Sequence, residues 1–197
     1  MWAIGNGESR INLNIDKLEG PKSGCNAIWR DYTMDYLVCV DKRMVSEALR
    51  GNANDKSLIY TRSDWYQTFA APKVRRVPPL PYNGDQRWDE PFQWGSGPYA
   101  VLIAAMYARE RYVNLIGFDL GSKTGKVNNI YKDTPNYDPA DKKAIDPRYW
   151  VHQIGMVFNC FPKIQFTVYQ EDDWELPKAW KYSNVSLDNL NNISYNN

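Results

Sequence analysis

The chain holds one histidine and three cysteines in 197 residues, with no Cys-x-x-Cys pair. That scarcity argues against a zinc site, which draws on clustered Cys and His ligands. Cys25, Cys39 and Cys160 are odd in number and lie in apolar or strand-like stretches. They read as reduced core thiols of a cytoplasmic protein, not as a disulfide framework. An excess of one charge is also missing. Lys and Arg total 24 against 23 Asp and Glu, a net charge of +1, which gives no general attraction to nucleic acid or anionic membrane. Arg75-Arg76 is only a local basic spot. No apolar run approaches the ~18 residues of a membrane span. No leader is expected, because the first strand-like run starts at Trp2. Apolar residues, by contrast, make up 43% of the chain, enough to build a core and to exclude wholesale disorder. The aromatic excess, with eight tryptophans, names no function by itself.

Strand and helix signals alternate along the chain. An apolar run over 2–4 breaks into Gly5-Asn6-Gly7-Glu8-Ser9, the pattern of a strand ending in a tight turn. Glycines there let backbone N–H groups approach an anion. The dinucleotide fingerprint needs a third glycine where this chain has Arg10. Residues 35–41 form a nearly continuous apolar run, as in a strand buried on both faces. Met44, Val45, Ala48 and Leu49 follow at helical spacing, with Gly51 as a C-cap. Residues 57–61 read as a short strand. The stretch 73–82, with Pro78, Pro79 and Pro81, reads as an extended loop or sheet edge. Residues 96–109 form the clearest helix, with Pro98 in its first turn and Ala100, Ile103, Ala104 and Tyr107 on one face. A strand over 112–119 ends in Asp119. Residues 120–146 are polar and without periodicity, a length that points to a functional, mobile loop. Residues 147–160 are a second helix with Val151, Ile154, Val157 and Phe158 as its buried stripe, and 164–169 a last strand.

This alternation predicts one layered α/β domain over 1–170, its sheet mainly parallel and covered by helices on both faces. Residues 171–197 are expected to form a C-terminal tail with a frayed end. In such sheets ligands bind beyond the carboxyl ends of the strands. Those ends are Gly5 to Ser9, Cys25-Asn26, Asp41, Thr61-Arg62 and Asp119-Leu120.

Four pieces stand in a recognisable order: Gly5-Asn6-Gly7-Glu8-Ser9, Cys25-Asn26, Gly95-Ser96-Gly97-Pro98-Tyr99 and Ile116-Gly117-Phe118-Asp119. The order resembles the bacterial sialyltransferases of the CMP-binding, Rossmann-like kind, and related proteins such as the archaeal pterin diphosphokinase-like proteins. The likeness spans 2–169 as short islands. It implies a Rossmann-like fold and a nucleotide, in particular a CMP-linked sugar donor, as substrate, with no further cofactor. It implies ligand contacts from Asn6 and Ser9 on the Gly5–Gly7 turn, from Asn26, and from Ser96 and Gly97, with Asp119 at a neighbouring strand end. Helix-start N–H groups give the last pair an independent reason to meet phosphate. Plainer readings stand beside these: Ser96 as an N-cap, Asn26 as a turn residue, Cys25 as core.

The departures concern chemistry. Gly121 stands where the family carries a tyrosine that helps the phosphate leave. Tyr131 is the substitute within the loop, with Lys132 beside it. The family's histidine base falls near Asp146, not at His152. Asp146 is a candidate base or the cap of the helix that follows, and His152, beside an apolar stripe, is more often structural. The leading expectation is a small nucleotide-sugar glycosyltransferase whose loop closes over the donor and excludes water. The alternative is an inactive nucleotide-binding or interaction module. Composition is reminiscent of proteins encoded by marine bacteriophages, so a third reading is a homo-oligomeric virion or assembly component that docks through the aromatics of 174–195.

Overall fold

A computed structural model describes residues 1–84 and 89–195. Its centre is an eight-stranded sheet in which every neighbouring pair is parallel. The strands are β1 (Trp2–Ile4), β2 (Lys22–Cys25), β3 (Tyr36–Val38), β4 (Leu58–Thr61), β5 (Val74–Arg76), β6 (Tyr112–Ile116), β7 (Gln165–Gln170) and β8 (Val185–Asn189). Their order is β5-β4-β3-β2-β1-β6-β7-β8. The chain therefore builds outward from β1 in one direction, crosses back, and builds outward from β6 in the other. This is a Rossmann-like α/β architecture, as the alternation of elements predicts.

Helices cover both faces because the central strands are apolar on both. In β1, Ala3 points into one core cluster while Trp2 and Ile4 point into the other, the period-2 alternation of a strand. The first face carries α4 (Ser96–Tyr107) and α5 (Arg148–Cys160). The second carries α1 (Lys42–Arg50) and a 3₁₀ turn, Asn26–Arg30. Two shorter helices, α2 (Ala53–Lys56) and α3 (Ser63–Thr68), flank β4.

The sequence pattern assigns α4 a single buried face, but nine of its twelve residues are buried, from Ser96 to Ala105. α4 lies against β1, β2, β3 and β6 and has α5 packed across it. A helix enclosed on all sides needs no polar stripe. Tyr107, expected on the buried face, is instead exposed at the helix end, where its hydroxyl meets that of Tyr60 at 2.9 Å.

Residues 171–195 are not a loose tail. Trp180 is fully buried, and its indole N–H donates to the Val151 carbonyl at 2.7 Å. The Asn184 side-chain amide donates to the carbonyls of Phe158, Phe161 and Ile164, closing the end of α5. β8 then joins the sheet beside β7. This removes Trp180 from any docking surface, and Trp174 is held by a bond from its indole N–H to the Asp119 carbonyl. The last residues, 196–197, on which the expectation of a frayed end partly falls, lie outside the described residues. No described helix is long and apolar enough to cross a membrane.

Candidate functional site

β1 and β6 are adjacent, yet the chain leaves them toward opposite halves of the sheet. Their following loops must part, and the gap is the topological switch point where α/β sheets hold ligands. A cavity of about 490 Å³ lies there. One side is polar, with Gly5, Asn6, Asn26, Asn128 and Tyr137. The other is apolar, with Phe92, Pro98, Phe118, Ile145, Trp150 and Ile154. Ser96 and Gly97 open onto it from α4, so the glycine bend and the serine-led helix share one crevice.

The bend itself is closed by the protein. A Cβ on Gly5 would lie 2.2 Å from the Gly117 carbonyl oxygen, and one on Gly7 would lie 2.4 Å from the Asp119 carboxyl carbon. The Asp119 carboxylate accepts from the Ser9 backbone N–H at 2.9 Å, the Ser9 hydroxyl at 2.5 Å and the Gln170 amide at 3.2 Å. It fills the place at the start of the 3₁₀ turn Glu8–Arg10 where an external anion was expected. Gly5 and Gly7 thus serve the close approach of two chain segments. Ser9 is correspondingly outside this cavity.

Asn6 is 7% exposed, and its side chain is engaged within the fold. Its amide donates to the Cys25 carbonyl at 3.0 Å, and its oxygen accepts from Arg10 at 3.0 Å. Asn26 sits at the end of β2 with a left-handed φ of +51°. Its side-chain oxygen is enclosed and has no hydrogen-bond partner. A buried acceptor without a donor is uncommon, and a ligand N–H or O–H would satisfy it.

At α4, the Ser96 hydroxyl accepts from the Val40 N–H at 3.0 Å, which ties the helix start to the end of β3. The Gly95 N–H donates to Gln153, and the Tyr99 N–H to the Gly95 carbonyl. Pro98 has no N–H. The backbone N–H groups of Ser96 and Gly97 have no hydrogen-bond partner among the described residues, so two donors remain at the positive end of a helix dipole. A Cβ on Gly97 would meet only Phe118, at 3.5 Å.

The expected catalytic residues lie elsewhere. Tyr131 is buried in the core of the other face, its hydroxyl donating to Asp31 at 2.7 Å. Burial pushes that phenol above its ordinary range. Lys132 is paired with Glu8. Asp146 is exposed and stands just before the N-cap residue, Pro147: it accepts from the Arg148 N–H at 3.0 Å and pairs with the Arg148 side chain at 2.7 Å. Those bonds hold its carboxyl below the usual range. The His152 Nε2 lies 2.8 Å from Asp89, which also accepts from the Tyr82 hydroxyl at 2.6 Å. On α5 it is Trp150 and Ile154 that line the cavity, and His152 does not. The physical reason is helical rotation: a residue two positions along points to the opposite side.

Two strand-end side chains do reach the cavity. Asp41 follows β3, and its carboxylate carries no hydrogen bond among the described residues. Arg62 follows β4, pairs with Asp64 at 2.6 Å, and lies over the rings of Trp65 and Phe92. The Arg62 bonds hold the Asp64 carboxyl below its usual range.

Residues 120–146 form the roof, and they are bound to the body. The Ile130 N–H donates to the Asn6 carbonyl, Arg30 to Thr134 and to the Pro135 carbonyl, and Asn136 to Glu47. An antiparallel bridge joins Lys126 to Lys143. A second groove, of about 960 Å³, runs beside the first and shares Asp119, Gly121, Val127 and Asn128 with it. No cluster of metal-binding side chains occurs among the described residues. Comparison of the chain with protein-family models, with curated proteins and with solved structures found no match.

Proposed function

We propose that the switch-point cavity binds a nucleotide, with a CMP-linked sugar as the donor suggested by the order of the four sequence islands. The observation that carries this reading is the pair of N–H groups at Ser96 and Gly97, two cavity-lining residues, left without partners among the described residues. Such a helix start suits a phosphoryl group. The apolar wall of Phe92, Pro98 and Trp150 suits a planar base, and the enclosed Asn26 oxygen suits a donor on the base or sugar.

Binding without turnover is the simpler form of the reading, because Tyr131, Asp146 and His152 all stand outside the cavity. Transfer is favoured by one observation: Asp41 lines the cavity, and its carboxylate has no hydrogen bond or ion pair among the described residues. A carboxylate so placed can take the proton of an acceptor hydroxyl.

A thermal-shift panel of common nucleotides at millimolar concentration tests the site. CMP or a CMP-sugar should raise the melting temperature; saturation at a hundred times Kd corresponds to about 2.7 kcal/mol. No shift with any nucleotide overturns the proposal. For turnover, Asp41→Asn should abolish sugar transfer to an acceptor while leaving the CMP shift in place. Transfer that survives in that variant removes Asp41 as the base.

A further inference from the structure

Arg10 is 2% exposed and is the residue that replaces the third glycine of a dinucleotide turn. Its neighbours in kind are paired: Arg30 with Glu47 at 2.6 Å, Arg62 with Asp64 at 2.6 Å. Arg10 has no carboxylate partner among the described residues. Its bonds run from Nε to the Gly5 carbonyl at 2.6 Å, and from an Nη to the Asn6 side-chain oxygen at 3.0 Å and the Tyr131 hydroxyl at 3.5 Å. All three acceptors are neutral. Asp31, reached only through the Tyr131 hydroxyl, is exposed to solvent.

A cation taken out of water without a counter-charge is costly, and the cost is relieved when an anion comes near. The cavity that shares the neighbours of Arg10 is a place for that anion. Gly5, Asn6 and Gly117 line the switch-point cavity; Arg10 bonds to the first two, and a Cβ built on Gly117 would meet the Arg10 Cδ at 3.0 Å, while Arg10 itself does not line the cavity. The ionised side chains lining the cavity offer an anionic ligand group no free cation: Asp41, Asp119 and Asp138 are carboxylates, none of them within ion-pair distance of Arg10 among the described residues, and Arg62 is committed to Asp64.

We propose that the Arg10 guanidinium is the buried counter-charge for an anionic ligand group in this cavity, acting through the Gly5–Asn6 backbone layer as a positioning residue. This rests on the reading of the cavity as a nucleotide site. The Asn6 amide, clamped between Arg10 and the Cys25 carbonyl, fixes the shape of that layer. A lysine lacks the planar fork that reaches two acceptors at once, so charge and shape are separable by substitution.

The test compares cytidine, CMP and inorganic phosphate by titration calorimetry against the wild type, Arg10→Lys, Arg10→Met and Arg10→Gln. The wild type should prefer CMP to cytidine. Arg10→Met should reduce that preference at least tenfold and keep cytidine affinity within about twofold, while Arg10→Lys keeps most of the preference. If the Met variant does not fold, the shape-conserving Gln variant carries the same expectation. A CMP-to-cytidine ratio unchanged in the neutral variants overturns the role of Arg10 alone. Equal loss of cytidine and CMP binding also overturns it, because the side chain then only props the floor. A wild type that binds none of the three probes overturns the nucleotide reading and this proposal with it.

Discussion

Gly5-Asn6-Gly7 and Gly95-Ser96-Gly97 carry the same local pattern, a small polar residue between two glycines beside an element end. The structure uses them in opposite ways. At the first, the space a side chain would take is filled by the Gly117 backbone and the Asp119 carboxylate. At the second, the space beside Gly97 is open to ordinary contact, and two N–H groups have no partner among the described residues. A glycine at an element end signals that something comes close. Whether that is the protein's own chain or a ligand depends on what lies across the gap.

The sharpest way to break this contrast is to add one methyl group at each segment. Gly5→Ala drives a Cβ into a backbone carbonyl that cannot move aside, and it should cost about 3 kcal/mol or more of stability. Gly97→Ala should stay within about 1 kcal/mol of wild type, while weakening CMP binding by crowding the cavity. Urea unfolding of both variants decides the matter; equal losses would erase the distinction.

Next in size is the carboxylate that closes the first segment. Asp119→Ala leaves the Ser9 N–H and hydroxyl without their acceptor and should cost about 2 kcal/mol. It also vacates an anion position, so added phosphate should restore part of the loss in this variant and not in Gly97→Ala. Phosphate with no effect would mean that the bend is closed by backbone contact alone.

The packing behind the first segment has a pH signature. Burial pushes the Cys25 thiol up to about 12 from its usual 9.0. A raised folded pKa means full stability below pH 9, lost as pH climbs through the interval toward 12. The slope is at most about 1.4 kcal/mol per pH unit for one thiol. Denaturation midpoints at pH 8 and pH 10.5 should differ, and Cys25→Ala should shrink the difference; no change in that variant would assign the loss to other groups, Cys39 first. The smallest effect is expected on the far side of α5. His152→Ala should cost about 1 kcal/mol by weakening the hydrogen bonding of Asp89, itself 5% exposed. It should leave the CMP-induced melting shift intact. A lost shift would bring His152 back to the site.

Much of the fold was legible because it is local. The apolar runs of β1, β3, β4, β6 and β7, the apolar length of α4 and the periodic stripes of α1 and α5 are properties of neighbouring residues. β2, with Lys22-Ser23-Gly24-Cys25, and β8, with Val185-Ser186-Leu187-Asp188-Asn189, carry weak strand signals. Their strand character comes from the ladders they join. The strand-end rule likewise pointed to Asp41 and Arg62 as well as to Asn26, since it needs only the positions of the elements. It could not place His152, because the side of α5 that faces the cavity depends on how the helix lies on α4.

By itself, then, the order of residues determined the alternation of strands and helices, the two-sided burial of the central strands and the positions of the loops at their carboxyl ends. These follow from periodicity and from what glycine and proline permit. Only the tertiary structure decided that Asp119 occupies the first glycine bend, that Arg10 is buried against Gly5 and Asn6 with no carboxylate partner among the described residues, and that Tyr131 and His152 lie outside the cavity. Each of those depends on a contact between residues distant along the chain, and no local pattern encodes which partner closes a gap and which gap stays open.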